Sequence, residues 1–493
     1  MKYLSTRNEK VTVDASFAVL HGISEDGGLF VPESLPVLSV EDFTKISAPS
    51  YPERAFYILK KYLTDFTDDE LKYCTDGAYK TGFEDDNPAP IAQLGADINV
   101  LELWHGPTCA FKDLALQALP YLLTVSAKKQ GTGKKTVILV ATSGDTGKAA
   151  LEGFKDVPDT EIIVFYPRDG VSPMQKLQMD SQEGGNVAVF SIKGNFDDAQ
   201  TGVKKIFTNA DVKEKLSKAG MEFSSANSIN FGRLAPQIVY YVSAYCDMLK
   251  KGDDLSRGFT VTVPTGNFGN ILAAFYAKQM GVPIAKLICA SNENNVLTDF
   301  INTGVYDRNR PFHTTASPSM DILISSNLER MIYHLCDDSR YVAELQKELL
   351  ENGRYGVTAE IAAKIKDLFF AASCNDDETL KTIGRVFNDY GYLIDTHTAV
   401  AVNAYEKYRL QTGDTRPALI ASTASPYKFS KSVLSALDGG KSNDEFSDVV
   451  KLSELTGTAV PAPIASLKNA KVRFNQTVEK DEMLSAVYGA LNI

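Results

Sequence analysis

The sequence of 493 residues lacks the features that mark several protein classes. Its six cysteines are scattered, with no Cys-x-x-Cys pair and no histidine at metal-ligand spacing. We therefore expect free thiols, no disulfide and no metal site. No apolar run is long enough to span a bilayer, and the first residues, MKYLSTRNEKVTVD, contain no apolar signal core. These absences predict a cytoplasmic protein.

An excess of positive charge is also missing. The 51 lysines and arginines are outnumbered by 62 aspartates and glutamates, which gives a net charge of −11. Such an acidic chain offers little attraction to a nucleic-acid backbone or an anionic membrane, so we expect neither as a partner. No Gly-x-Ser-x-Gly motif occurs, and the five histidines show no spacing that singles out a base, which argues against a serine hydrolase.

Short β-branched runs alternate with helical stretches over most of the chain. The strand candidates are residues 136–141, 161–166, 187–192, 259–263, 286–290 and 418–421. Short apolar runs of this kind, with helical sequence between them, are typical of buried strands in a parallel α/β sheet. Because the runs fall into two clusters, we predict two α/β domains.

The first ninety residues have a different character. Residues 26–31 predict a glycine turn that leads into a short strand. Ser50 with Glu53, and Thr67 with Glu70, have the spacing of capping boxes, which predicts two helix starts. This segment is expected to form a small mixed α+β unit.

We accordingly predict four units. They are an N-terminal mixed α+β domain (1–90), a large α/β domain (91–120 and 240–437), a small mobile α/β domain (121–239) and a short C-terminal tail (438–493). A turn-rich stretch at 438–444 supports the last boundary.

One lysine stands out in the run HGPTCAFKDLALQALPYLL, residues 105–123. Lys112 is followed by Asp113 and by leucines at helical spacing, which predicts that it lies in the first turn of a helix. Unsatisfied N–H groups and the helix macrodipole disfavour a positive charge there, so the neutral amine forms more easily. Only a neutral amine attacks an aldehyde, so Lys112 is a candidate for Schiff-base chemistry. The alternative is a solvated lysine at a helix start.

Two glycine-rich loops each follow a predicted strand and precede a predicted helix. Residues 142–147 read TSGDTG, and residues 264–270 read PTGNFGN. Backbone N–H groups in such loops, with a helix N-terminus behind them, favour anions, so one loop could hold a phosphate and the other a carboxylate. Neither loop matches the Gly-x-Gly-x-x-Gly or Walker pattern. The alternative is that the glycines serve only to make tight connections.

Together these segments resemble the pyridoxal-phosphate enzymes of the tryptophan-synthase β type, known as fold type II. The motifs follow that family's order over nearly the whole chain. HGPTCAFKD is similar to the cofactor-lysine segment, ATSGDTG to the substrate-carboxylate loop, SANSINFGR (225–233) to a substrate-binding stretch, PTGNFGN to the cofactor-phosphate loop, STASPYKF (422–429) to the segment by the pyridine nitrogen, and SFAVLHGISEDGGLFVP (16–32) to the N-terminal domain.

The resemblance implies pyridoxal 5'-phosphate as the cofactor and assigns roles residue by residue. Lys112 would be the Schiff-base lysine and the catalytic residue, and Thr423 would form a hydrogen bond with the pyridine nitrogen. The other implied contacts are Gly266, Asn267, Phe268, Gly269 and Asn270 to the cofactor phosphate, Ser143, Asp145 and Thr146 to the substrate carboxylate, and Asn227, Ser228 and Arg233 to a substrate phosphate.

Within the family the resemblance is to members that convert O-phospho-L-homoserine and water to L-threonine and phosphate by γ-elimination and β-addition. A threonine or serine dehydratase, a cysteine synthase, and a metabolite-binding regulatory protein are the alternatives. One departure is that Ser425 and Tyr427 stand where many members have a histidine and an alanine. The resemblance implies a monomer, with a homodimer as the alternative.

Overall fold

The computed structural model describes residues 1–142, 144–169, 171–438, 440 and 444–493, apart from the Asp197 side chain. The described strands lie in four sheets. In chain order they are β1 (Tyr3–Ser5), β2 (Asn8–Val13), β3 (Phe30–Pro32), β4 (Ile91–Leu94), β5 (Ile98–Glu102), β6 (Lys135–Ala141), β7 (Thr160–Pro167), β8 (Val187–Ile192), β9 (Met221–Ser224), β10 (Phe259–Pro264), β11 (Ile284–Ser291), β12 (Val305–Asp307), β13 (Arg354–Gly356), β14 (Phe369–Ser373), β15 (Ala418–Ser422) and β16 (Thr477–Val478).

Helices connect and cover these strands. They are α1 (Ala15–His21), α2 (Val40–Ser47), α3 (Tyr51–Tyr62), α4 (Asp68–Tyr79), α5 (Asp113–Leu116), α6 (Leu119–Lys129), α7 (Asp145–Phe154), α8 (Pro173–Asp180), α9 (Phe196–Thr208), α10 (Ala210–Lys218), α11 (Phe231–Lys251), α12 (Gly269–Gln279), α13 (Val296–Thr303), α14 (Leu328–Cys336), α15 (Ser339–Asn352), α16 (Ala359–Leu368), α17 (Asp376–Tyr390), α18 (Thr396–Thr412), α19 (Ser430–Asp438), α20 (Glu445–Thr456), α21 (Ala462–Ala465) and α22 (Met483–Leu491). No described helix combines the length and apolar character needed to cross a lipid bilayer.

The larger sheet has six strands in the order β14-β11-β10-β15-β5-β4. All neighbours are parallel except β4, which pairs antiparallel with β5 at the edge. Every residue of the central strand β10 is buried, as expected for a β-branched run covered on both faces. Because the strands are parallel, the loops that follow β10, β11 and β15 emerge at one edge of the sheet, where ligands bind in open α/β sheets.

The smaller sheet has five parallel strands in the order β16-β8-β7-β6-β9. Its central strand β7 is buried along nearly its whole length. The strand β16 comes from the C-terminal segment, so that segment adds an edge strand to a sheet formed some three hundred residues earlier. The loop that follows β6 carries the TSGDTG motif and leads into α7.

The N-terminal segment forms a three-stranded antiparallel sheet and three helices that pack near α11. Both predicted capping boxes are present. Glu53 accepts a hydrogen bond from the Ser50 backbone N–H, and Thr67 and Glu70 each accept one from the other's backbone. These contacts satisfy N–H groups that would otherwise lack partners at the starts of α3 and α4.

The predicted strands are confirmed, as β3, β6, β7, β8, β10, β11 and β15. The leucine spacing after Lys112 predicts one helix, and this prediction is wrong. The chain forms the short α5, then a two-residue turn, and then a second helix, α6. Pro120 has no N–H to donate to the Leu116 carbonyl, so the first helix cannot extend through it. The division into four units stays a prediction, and its boundary at 438–444 falls mostly outside the described residues.

The half-buried His334 on α14 predicts a loss of stability in acid. His334 accepts or donates one hydrogen bond at 2.8 Å with the Tyr276 hydroxyl, and burial, reinforced by the Arg330 charge, lowers the pKa of His334 to about 3. The unfolded chain takes up this proton below about pH 6.5, so the contribution of neutral His334 is present above that pH and is lost as the pH falls towards 3. The replacement His334→Gln should reduce the acid-induced loss of unfolding free energy between pH 7 and pH 5 by on the order of 1 kcal/mol.

Urea unfolding at the two pH values measures this difference. His21→Gln is the control, because His21 lies on the surface. An equal loss in the His334 variant and the parent protein would contradict the prediction.

Candidate active site

The segment that carries Lys112 is anchored to the end of β15. The Phe111 N–H donates to the Thr423 carbonyl at 2.9 Å, and an isolated bridge joins the neighbouring residues of the two segments. Asp113 is fully buried and accepts hydrogen bonds from the Thr108 N–H and hydroxyl at 2.9 and 2.6 Å. Burial raises the pKa of the Asp113 carboxyl to about 6 in spite of these bonds. The segment is thereby held so that the Lys112 amine meets Asp145, at the start of α7, and Ser319.

Lys112 is buried, with 8% of its surface exposed. Its Nζ lies 3.4 Å from Asp145 Oδ2 and 3.2 Å from Ser319 Oγ. Burial lowers the pKa of Lys112, the charges of Lys428 and Arg233 lower it further, and Asp145 opposes them. The pKa of Lys112 is therefore lowered, as the sequence predicted, but the cause is different. Desolvation and neighbouring cations lower it, because α5 is too short to have a substantial dipole.

Asp145 connects the two sheets through its charge. It is the first residue of α7, the helix that follows β6 of the smaller sheet. Its Oδ1 lies 2.7 Å from the Nζ of Lys428, whose side chain is fully buried. Gln175 and Ser319 each donate a further hydrogen bond to this carboxylate at 3.1 Å. Burial alone would raise the pKa of the Asp145 carboxyl, but the charges of Lys428 and Lys112 hold it well below its ordinary value. Asp145 is therefore ionised at neutral pH.

Two carbonyl groups of the loop after β10 accept hydrogen bonds from the segment before α14. The Ser325 hydroxyl donates to the Gly266 carbonyl at 2.8 Å, and Asn327 donates to the Asn267 carbonyl from both its backbone and its side chain. Phe268 has a left-handed φ of 61° and precedes α12, although its buried ring is packed in the core. Such strained residues persist where surrounding contacts hold them. The N–H groups at the start of α12 make no hydrogen bond among the described residues, so they can face an anion.

An unpartnered amide marks the same loop. The Asn270 Oδ1 accepts hydrogen bonds from the hydroxyls of Tyr240 and Tyr241, whereas its buried Nδ2 has no partner among the described residues. A buried donor without an acceptor is unfavourable unless a ligand supplies one. A phosphate oxygen supplies such an acceptor, so the loop fits the phosphate of a pyridoxal cofactor.

Thr423 lies directly after β15 and is buried, and its hydroxyl makes no hydrogen bond within the described part of the chain. It is free to meet a ring nitrogen. The two residues that depart from the family motif are structural here. The Ser425 N–H donates to the Cys109 carbonyl, and the Tyr427 hydroxyl bonds with Thr458.

The residues expected to bind a substrate phosphate lie close to the loop after β10. Arg233 is 5% exposed and donates to the Ala226 carbonyl at 2.8 Å, and it forms no ion pair among the residues described. Burial lowers the pKa of its guanidinium to about 10. Ser228 borders the loop, since a side chain at Gly269 would meet its Cβ at 4.0 Å, and Asn227 is exposed beside it. A buried arginine without a carboxylate partner is suited to an anionic ligand.

Two backbone N–H groups of the TSGDTG loop already donate hydrogen bonds within the loop. The Thr142 hydroxyl accepts hydrogen bonds from the N–H groups of Gly144 and Gly147 at 3.0 and 2.9 Å. Gly144 adopts a φ of 140°, which a residue with a side chain rarely adopts. Thr146 is half-buried in the first turn of α7. Ser143, also expected here, lies outside the described residues.

The sequence reasoning assigned no role to four residues of the site. Lys428 stands in the motif STASPYKF, which could have drawn attention to it, but its burial against Asp145 follows only from folding. Ser319, Gln175 and His397 lie in segments with no motif, and long-range packing alone brings them to the site.

Family models match three stretches of the chain. Residues 2–79 match the threonine synthase N terminus, residues 86–422 match the pyridoxal-phosphate dependent enzymes, and residues 398–486 match the C-terminal part of threonine synthase.

Individual proteins agree with these models. The chain is 39% identical over 468 residues to "Threonine synthase-like 1" of Homo sapiens, where the match covers 92% of this chain but only 62% of that protein. It is 37% identical over 436 residues to threonine synthase of Pseudomonas aeruginosa, with 88% of this chain and 90% of that protein covered. The crystal structure of threonine synthase with bound pyridoxal phosphate from Brucella melitensis superposes with a TM-score of 0.89 at 35% identity, covering 99% of both chains. The chain therefore belongs to the threonine synthase family of pyridoxal-phosphate dependent enzymes.

Proposed function

We propose that this chain is a threonine synthase that converts O-phospho-L-homoserine and water to L-threonine and phosphate. The observation that supports it best is a buried arginine that has no acidic partner among the described residues and whose charge acts on a buried lysine of lowered pKa. A reactive amine close enough to feel the charge of a guanidinium suits a substrate that carries both an amino group and a phosphate.

The cofactor would be held at three points. Lys112 would link covalently to its aldehyde, Gly266 to Asn270 would bind its phosphate, and the Thr423 hydroxyl would meet its ring nitrogen. When bound, the pyridine ring supplies an electron sink for negative charge at the substrate's α-carbon.

Lys112 would act as the general base. Its lowered pKa favours the neutral amine, so Nζ can take the proton from the α-carbon of the substrate. The same nitrogen would carry protons at the β- and γ-carbons while phosphate leaves and water adds. Burial around Lys112 keeps bulk water from the amine during the early steps.

The substrate would be held at its two ends. Arg233, Asn227 and Ser228 would bind the γ-phosphate. The loop of Ser143 and Thr146 would bind the α-carboxylate through hydroxyl and N–H groups. Ionised Asp145 would repel a carboxylate, so we assign it to hold Lys112 and Lys428 beside the bound substrate. The cytoplasmic location, the monomeric state and the four-unit division also stay predictions.

The first prediction concerns the reaction itself. The purified protein mixed with O-phospho-L-homoserine should form threonine and phosphate in equal amounts, measured by mass spectrometry and a phosphate assay. Lys112→Ala should lose both turnover and the visible absorption of the bound cofactor, because the neighbouring Lys428 amine is held by Asp145 at 2.7 Å and by the Thr108 carbonyl at 2.9 Å. Lys129→Ala, which removes a partly exposed lysine bonded to Glu70, is the control. A 2-oxo acid formed from threonine would instead indicate a dehydratase.

The second prediction separates the phosphate end from the amino end. Arg233→Gln should raise the KM for O-phospho-L-homoserine by roughly tenfold or more, because a charge-assisted contact to phosphate is lost. The exchange of the α-proton of 2-aminobutanoate with heavy water should change less than about threefold, since this probe has no phosphate. Arg385→Gln, at a partly exposed ion pair with Glu406, is the control. An equal loss in both assays would refute the phosphate role.

The third prediction tests the electrostatics around the lysine in the cofactor-free protein. Lys428→Met should raise the pKa of Lys112, since the Lys428 charge lowers it. Asp145→Asn should shift it downwards, because the Asp145 charge raises it. Reductive methylation of Lys112 at several pH values, followed by peptide mass spectrometry, measures the midpoint. Shifts of the same sign in both variants would contradict the assignment.

A further inference from the structure

Two acceptors face the Lys112 amine. Its Nζ donates to Ser319 Oγ at 3.2 Å and to Asp145 Oδ2 at 3.4 Å. The Ser319 hydroxyl donates its own hydrogen to the same Asp145 oxygen at 3.1 Å, so its lone pairs are free to accept from the lysine. A neutral amine has two hydrogens and one lone pair. With both hydrogens taken by these acceptors, the lone pair has a single remaining direction.

A buried histidine accepts a hydrogen bond from the backbone of Ser319. The Ser319 backbone N–H donates to His397 Nε2 at 3.1 Å, so that ring nitrogen must be the acceptor. The other ring nitrogen, Nδ1, lies 2.7 Å from Asp395 Oδ2 and therefore carries the hydrogen. His397 and Asp395 are 2% and 0% exposed, and Asp395 also caps the start of α18. The tautomer and the orientation of the imidazole are thus determined by its two partners.

The turn that carries Ser319 is supported independently. Asp321 accepts hydrogen bonds at 2.7 Å from Asn292 and at 2.8 Å from the Thr315 hydroxyl. On the other side, a side chain at Gly266 would approach the Ser319 carbonyl to 2.8 Å, so the turn packs directly against the cofactor-phosphate loop. A rigid turn of this kind can hold a hydroxyl within a few tenths of an ångström of its required place.

We infer that Asp395 and His397 are positioning residues that, through the backbone of Ser319, make the Ser319 hydroxyl aim the lone pair of the Lys112 amine. Neither residue touches the reacting atoms. Their effect passes through one backbone N–H and one hydroxyl. This inference rests on the proposed role of Lys112, and it adds an orienting device to it.

Ser319→Ala removes the hydroxyl acceptor and leaves Asp145 in place. We expect kcat to fall roughly tenfold with KM within about threefold, which is the effect of one lost orienting hydrogen bond. When pyridoxal phosphate is added to the cofactor-free variant, the visible absorption of the linked cofactor should also appear roughly tenfold more slowly. Ser319→Thr retains the hydroxyl and should restore most of both rates.

The role of His397 is tested by comparing single and double variants of His397 and Ser319. His397→Leu should slow both processes to a similar degree, and His397→Gln, whose amide oxygen can accept the Ser319 N–H, should recover part of the loss. The double variant with Ser319→Ala should be no slower than the slower single variant, because both act on one contact. Additive losses would overturn the inference, as would an attachment rate in Ser319→Ala equal to that of the parent protein.

Ser317→Ala is the matched control, since Ser317 lies on the same turn and makes no hydrogen bond to Lys112 or Asp145 among the described residues. Should His397→Leu fail to fold, His397→Gln and Ser319→Ala still decide the question. The attachment rate needs no substrate. A protein that links the cofactor but does not convert O-phospho-L-homoserine would therefore refute the proposed function and leave this test intact.

Discussion

The Asp145 carboxylate is the interaction on which the organisation of the site depends. It belongs to the first turn of α7, behind the smaller sheet, and it contacts two lysines carried by segments of the larger sheet. A buried carboxylate is stable only when charges and hydrogen bonds surround it, and here Lys428, Lys112, Gln175 and Ser319 do so. One ionised group thus couples the two sheets and positions the reactive amine.

The charges around this carboxylate do not balance. The buried Lys428 and Arg233 both lower the pKa of Lys112, and Asp145 is the carboxylate that opposes them. The surplus lowers the pKa of the amine before any ligand binds. It also favours anions, which agrees with a site for two phosphates and a carboxylate.

Backbone strain is found at the same place. Cys109 and Phe268 both have left-handed φ values, of 55° and 61°, and each lies within three residues of a group assigned to the cofactor. Both side chains are buried, so packing holds these conformations. The strain gives each segment a bend that a regular helix or strand would not provide, shortly before Lys112 in one case and directly before α12 in the other.

Local features of the sequence determined the strands, the two capping boxes and the order of the three motifs, because hydrophobic periodicity and short side chain to backbone bonds act within a few residues. The same reasoning identified Lys112 and the two loops, since glycine and helix starts have local signatures. It failed for the helix after Lys112 and for the cause of the lowered pKa. Ser319 and Gln175 lie in segments without a motif, and the contact between Lys112 and Ser319 joins residues 207 positions apart. Only the tertiary structure decides such contacts, because burial and charge pairing arise when distant segments exclude water together.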